Sequence, residues 1–486
     1  MRDEAHYCRM DTAPQPAKFA PATDIFALPG IGDAVAPADF PMTRLRFRND
    51  RCAQAVGLGR LDDAAWVRHF GRFAPLPGSL DTPLALRYHG HQFRQYNPDL
   101  GDGRGFLFAQ LRDADGRLLD LGTKGSGQTP YSRFGDGRLT LKGGVREILA
   151  TEMLDALGVP TSQTLSLIET GEALERGDEP SPTRSAVLVR LSHSHIRIGS
   201  FQRAAHLGDE ALLRALVDYA LRRLYRVEPG EDPAAHLLTL ATERTAELAA
   251  AYMIAGFVHG VLNSDNINIT GESFDYGPWR FAPTWDPAFT AAYFDHQGLY
   301  AFGRQAEAIH WDLAQLAVAL SGLADSAPLI AALERFPALY AAAMRRRFAG
   351  RLGLSGTDEG RASALLEEGV RAMRATGTAI DRFFFDWRGG APRTAAARQR
   401  YAAPEWAAFA ALADGLGAPG ATDDPYWSRA EPCSMLIGRV EAIWAAIAEN
   451  DDWEPLAQAV ADIRAMGAAH APAASPPADG YGPAMR

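Results

Sequence analysis

The chain has 486 residues, 49 Lys+Arg against 59 Asp+Glu for a formal charge of −10, and a composition 47% hydrophobic and 22% charged. That balance describes a globular, core-forming protein and excludes a disordered or fibrous one; the acidic surplus excludes a coat for nucleic acid or for an anionic membrane. The length exceeds one compact domain and predicts two lobes.

Residues 1–40 are rich in Pro and Ala (TAPQPAKFAPATD) and read as an irregular N-terminal arm. The opening MRDEAHY is charged from its second residue and lacks the apolar stretch of a leader, and no run of about 18 apolar residues follows. A cytoplasmic monomer without a membrane or nucleic-acid partner is expected. Cys8, Cys52 and Cys433 are few, distant from one another and form no CxxC pair, so neither a disulfide framework nor a thiolate zinc site is expected.

From about 84 to 145 glycine becomes dense: GHQ, GDGRG, GTKGSGQ, FGDGR, KGG. Two β-type runs lie inside, Phe106–Leu111 and Leu118–Thr123, joined by Asp113-Ala114-Asp115-Gly116, a hairpin turn in its chemistry. A helix is expected over Gly144–Leu157, with Val145, Ile148 and Leu149 as its stripe and Gly158 as its stop. Strand-like runs at Thr164–Glu169 and Ala186–Leu191 complete a β-rich lobe over 41–203. From 204 to 467 helical periodicity takes over, at 209–226, 232–256, 307–323, 328–348, 358–375, 402–415, 428–448 and 453–467. A β/loop interruption at 257–303 holds the densest polar motif, and 468–486 reads as a disordered tail.

The chemistry-bearing residues fall in one order. Gly101-Asp102-Gly103-Arg104-Gly105 precedes the first strand; its glycines let backbone N–H groups approach a phosphate, although a plain hairpin loop has the same composition. Lys124 ends the next strand, where a buried ammonium needs an anion. Glu147 and Glu152 on the following helix are both available, and their spacing puts them on different faces. Then comes His259-Gly-Val-Leu-Asn-Ser-Asp-Asn266, followed by Asp275-Tyr-Gly277. This is the kinase order HRDxxxxN…DFG with Val261 where the catalytic base should stand. Asp265 is the nearby carboxylate that could replace it; Asn266 and Asp275 offer hard oxygen ligands to Mg²⁺ on ATP phosphates. No GxxxxGK[ST] occurs, and GSGQTP fails the dinucleotide pattern. The HxH pairs His89/His91 and His193/His195 lack a third ligand motif and read as hydrogen-bonding residues, as does His259.

The strings YHGHQF, YNPDLGDGRG, GTKGSGQTPYSR, GDGR, HGVLNSDN and FDYGP resemble the selenoprotein O (YdiU) family over about residues 84–320. The resemblance implies an α+β, protein-kinase-like two-lobed fold that binds ATP flipped and transfers AMP, with release of pyrophosphate, to Ser, Thr or Tyr hydroxyls of proteins. It places nucleotide contacts on Gly101, Gly103, Arg104, Lys124, Asp136, Gly137, Arg190 and Arg197, and a Mg²⁺ or Mn²⁺ site on Asn266 and Asp275. Asp265 becomes the proton acceptor and Glu147 the lysine's partner. Many members end in a redox motif; GYGPAMR has no such cysteine, and no thiol switch is expected. The rival expectations are a phosphotransferase with a relocated base and an ATP-binding pseudokinase scaffold.

Overall fold

The computed structural model describes residues 18–177 and 179–470. Its first half is built on one antiparallel sheet. In chain order come β1 (Ala20–Ala22), β2 (Gly32–Ala34), β3 (Arg44–Arg48) and β4 (Leu84–Leu86), then a separate hairpin of β5 (Gly90–Gln92) and β6 (Gln95–Asn97). The main sheet resumes with β7 (Leu107–Arg112), β8 (Leu118–Lys124), β9 (Leu139–Thr140), β10 (Gln163–Leu174) and β11 (Thr183–Ser192). Their spatial order is β2-β4-β7-β8-β11-β10-β3, with β1 against β7 and β9 against β11. Every residue of β8 is buried, because helices and loops cover both faces of this central strand.

One face packs under α1 (Asp50–Ala55) and α2 (Asp63–Phe70), where Trp66, Phe70, Phe106 and Phe108 meet Val187 and Val189. The other carries α3 (Leu141–Ala156), capped by the Thr140 hydroxyl accepting from the Gly143 N–H. Leu141, Val145, Ile148 and Leu149 of that helix share a core with Leu167 and Leu188 of the sheet.

Helices dominate thereafter: α4 (Ile198–His206), α5 (Glu210–Tyr219) and α6 (Pro233–Ala255). A short ribbon of β12 (Phe257–Val258) and β13 (Arg280–Phe281) interrupts them. Then follow α7 (Gln305–Leu320), α8 (Ser326–Glu334), α9 (Phe336–Arg351), α10 (Glu359–Thr376) and α11 (Ile380–Asp386). The last four are α12 (Ala395–Arg400), α13 (Ala407–Ala413), α14 (Ile437–Asn450) and α15 (Glu454–His470). The protein is a mixed α/β molecule: a curled antiparallel sheet followed by a helical array.

The structure departs from the sequence reading in three places. Half of the expected irregular arm is ordered, since β1 and β2 join the sheet and Ile25, Leu28 and Ile31 enter its core; residues 1–17, with Cys8, lie outside the described residues. The helix expected over 328–348 is two, broken at Arg335 with Pro337 in the first turn of α9. Residues 429–436 run as coil past Pro432, burying Cys433 and Met435, so α14 begins later than expected. Helix α15 forms where expected and returns to α3: Arg464 binds Glu152 at 2.6 Å, tying this last described helix to the sheet half. The expected tail beyond His470 lies outside the described residues. Among those described, no helix is long and apolar enough to cross a membrane.

Candidate active site

Lys124 ends β8 with only 3% of its surface exposed, where an ammonium without a counter-charge would cost several kcal/mol. Its Nζ lies 2.6 Å from Glu147 Oε2 and 2.9 Å from Asp275 Oδ1, and donates to the Tyr276 carbonyl at 3.4 Å. A strand, a helix and the loop before β13 thus converge on one nitrogen. Glu152, the other carboxylate of α3, faces elsewhere and accepts from Arg464 and Asn49.

Arg190 reaches the same carboxylates from β11, its Nη1 3.5 Å from Asp275 Oδ1 and 3.7 Å from Glu147 Oε1. Its Nε donates to His195 Nε2 at 3.1 Å. Burial pushes the His195 pKa down against the opposing pull of Asp120, so the ring is neutral and can accept that bond. The strand leaves space for the imidazole at Gly122, where a Cβ would stand 2.1 Å from His195 Nε2.

Asp275 sits at φ +64, a left-handed conformation that Asp tolerates better than most residues. Burial alone would raise its pKa, but Lys124, Arg190, Arg104 and Arg197 outweigh burial and hold it well below the usual carboxylate range. It is therefore a fixed anion. Arg197 is buried between the Tyr88 and Phe274 rings, 4.1 and 4.8 Å from their centroids. Its Nη1 donates to the Asp265 carbonyl at 3.1 Å, and its Nη2 lies 3.4 Å from Asp102 Oδ1.

The loop between β12 and β13 carries the remaining groups. His259 donates its Nε2–H to the Phe274 carbonyl, 3.0 Å away, and its backbone N–H donates to Gln305 Oε1; it ties the two ends of the loop together. Asn266 Nδ2 donates to the Val261 carbonyl at 2.9 Å, which fixes the amide with its oxygen on the opposite side. Asp265 is 7% exposed, and its Oδ1 is buried without a hydrogen-bond partner. Burial pushes its pKa up to about 7, with Arg197 opposing the shift. Gly90 lies against it, since a Cβ there would be 2.9 Å from that carboxylate.

The Gly101–Gly105 segment is clamped on residues 129–132. A Cβ at Gly101 would stand 2.3 Å from the Tyr131 ring, and one at Gly103 2.8 Å from the Tyr131 carbonyl. Close packing is thus one reason for these glycines. Arg104 is exposed, and its charge reaches Asp275. Asp136 and Gly137 are not among the contacts of Lys124. Gly137 packs on Gly127 in the loop after β8, and exposed Asp136 binds Arg176 at 2.8 Å. Both border the loop beside a shallow hollow of about 530 Å³ whose walls include Ala38, Gln128, Arg138 and Glu172.

Two relatives named protein nucleotidyltransferase YdiU are similar over most of the chain. The one from Gloeobacter violaceus is 45% identical over 449 residues, covering 89% of this chain and 92% of its own. The one from Synechocystis is 44% identical over 453 residues, 87% and 93% of the two chains. The family described as "Protein adenylyltransferase SelO" matches residues 28–402. This chain belongs to that family.

Three contributors in this SelO-family chain escaped the sequence reading. Tyr88 stacks on Arg197, Asp120 holds His195 by accepting its N–H at 2.9 Å, and exposed Arg133 adds a positive field at Asp265. Arg133 stands at φ +53 inside TPYSRFGDGR, and only its place in a Gly-rich loop hinted at it. The HxH pairs have other employment: His89 bonds the Tyr96 hydroxyl, His91 bonds Gln202, and the His193 N–H donates to Glu272. Among the described residues no three His, Cys, Asp or Glu side chains form a protein-only metal cage. One amide and one carboxylate, Asn266 and Asp275, suit a hard cation that takes its other ligands from phosphate and water.

Proposed function

We propose that this chain transfers AMP from ATP to Ser, Thr or Tyr hydroxyls of proteins, releasing pyrophosphate. The family's description as a protein adenylyltransferase favours AMP as the transferred group, and Asp265 carries the reading of a hydroxyl acceptor. It is a buried carboxylate with an unpartnered oxygen and a pKa near 7, which suits a group that takes a proton at neutral pH. In a kinase loop the base would stand at Val261, which cannot serve.

In the step proposed, the acceptor oxygen attacks the α-phosphorus as its proton passes to Asp265. The bond from the α-phosphorus to the bridging oxygen breaks, and pyrophosphate leaves with that electron pair. Lys124, Arg190 and Arg197 form a cationic wall for the phosphates, with exposed Arg104 at its mouth. Glu147 holds the Lys124 ammonium in place. Gly101 and Gly103 shape the loop beside Arg104, and Asp136 and Gly137 are the nucleotide contacts of the loop after β8. Asn266 and Asp275 would hold Mg²⁺ or Mn²⁺, which would neutralise phosphate charge when bound with ATP.

The same reading takes the fold as kinase-like and two-lobed, with a β-rich lobe over 41–203 and a helical lobe over 204–467. The order of lysine strand, glutamate helix, Asn266 and Asp275 supports it. We read the protein as a cytoplasmic monomer. Incubation with ATP, a divalent cation and an unfolded protein acceptor should release pyrophosphate in step with acceptor modification. Release of ADP instead would replace this reading with phosphoryl transfer, the rival that Asp265 could also serve as base.

A further inference from the structure

Most large apolar side chains among the described residues are buried, yet three aromatics stand in solvent on loops connected to Asp265 through one or two intervening residues. Phe134 is fully exposed, Tyr293 is 78% and Phe294 41% exposed. An exposed aromatic cluster at a site marks a contact surface more often than a folding need.

One loop is fastened to the catalytic loop, the other to the Gly101–Gly105 segment. On one side, Phe294 packs on Phe93 at 5.9 Å between centroids, and Phe93 on Tyr300 at 5.0 Å. The Phe93 N–H and the Tyr300 hydroxyl both donate to Asn263 Oδ1, at 3.2 and 2.7 Å. Asn263 is two residues before Asp265. On the other side, Phe134 follows Arg133, whose charge reaches the Asp265 carboxylate. Its loop is held by Thr129 and Ser132, whose hydroxyls donate to the carbonyls of Asp102 and Gly103. Two rims thus connect to Asp265: an aromatic one at Tyr293 and Phe294 through Phe93 and Asn263, and an aromatic and cationic one at Arg133 and Phe134 whose loop binds Asp102, itself joined to Asp265 through Arg197.

We infer that these rims are the docking surface for the acceptor polypeptide. The inference rests on the reading of Asp265 as the group that receives the acceptor's proton. The occupant is an extended, locally unfolded segment whose hydroxyl residue enters between the rims. Bulky apolar side chains on either side of that hydroxyl would cover Phe134 and the Tyr293–Phe294 pair. Arg133 gives one rim a positive charge, so an acidic neighbour is favoured over a basic one there, against the overall charge of −10. Aromatic anchors of this kind carry much of the binding energy in protein contacts.

The test is kinetic. Phe134→Ala and a Tyr293→Ser/Phe294→Ser double variant are compared with wild type, using ATP labelled at either phosphate and hydroxyl peptides with apolar, polar, acidic or basic flanks. Each variant should raise KM for the apolar-flanked peptide about ten-fold while the Kd for ATP, measured without peptide, stays unchanged. Arg133→Glu should reverse the preference between acidic and basic peptides. Unchanged peptide KM in both aromatic variants, with normal ATP binding, would overturn the inference. Because either label is counted, a switch from AMP to phosphoryl transfer would refute the proposed reaction and still leave the docking result readable.

Discussion

Asp265→Asn should remove activity and stabilise the protein. A carboxylate whose folded pKa is raised from 3.8 to about 7 resists ionising in the folded state, so the wild type loses stability as pH rises through that interval. The loss begins above the unfolded value and levels off once the folded group has ionised. Three pH units at 1.36 kcal/mol each make the plateau about 4 kcal/mol, with less than half of it lost near pH 5. Asparagine keeps the shape and carries no charge. The contact from Arg197 survives the change, because it is made to the Asp265 backbone carbonyl. For a chain of this length 4 kcal/mol corresponds to about 4 °C in Tm if the molecule unfolds as one unit. Melting curves of nucleotide-free wild type and variant near pH 5 and pH 8 give the comparison. A variant no more stable than wild type at pH 8, or an advantage that fails to grow between the two pH values, would refute the burial argument for Asp265.

Three further outcomes follow from the same geometry. The acceptor-dependent rate should rise with pH through a midpoint near 7, as Asp265 becomes able to take a proton; a rate flat from pH 5 to pH 9 would assign the proton to another group. Arg104→Ala should weaken ATP binding at least ten-fold, whereas Arg138→Ala should leave it within about two-fold. Arg138 is engaged by Glu172, with Nε 2.9 Å from both carboxylate oxygens, so equal losses in a binding titration would deny that difference. Glu147→Gln strips a buried counter-charge from Lys124 and should cost about 3 kcal/mol of stability together with nucleotide affinity; Glu152→Gln should spare affinity, since its partners are Arg464 and Asn49.

Much of this was readable from residue order because the signals were local. Helix α6 announces itself through Asp232 at its cap, Pro233 in its first turn and Gly256 past its end. The β7–β8 hairpin shows through its Asp-Gly turn. What escaped depended on distant partners. Helix α4 has no capping side chain of the usual type and starts at Arg197, itself committed to Asp102 and Asp265. Strand β1 contains Pro21, which reads as irregular until an edge position beside β7 makes its missing N–H harmless. The Asp120–His195–Arg190 relay joins β8 to the end of β11 and the turn after it, and only the folded sheet brings the two segments together. The choice between Glu147 and Glu152 was open for the same reason: helix spacing separates their faces without saying which one meets Lys124.

The central claim is the identity of the transferred group. Purified protein, a divalent cation and a protein acceptor are incubated with ATP labelled on the α- or on the γ-phosphate, with Asp275→Ala as the blank. The account predicts acceptor label from the α-phosphate and none from the γ-phosphate. Label from the γ-phosphate alone would contradict it and make this a phosphotransferase; no label from either, with ATP still bound, would leave a nucleotide-binding scaffold.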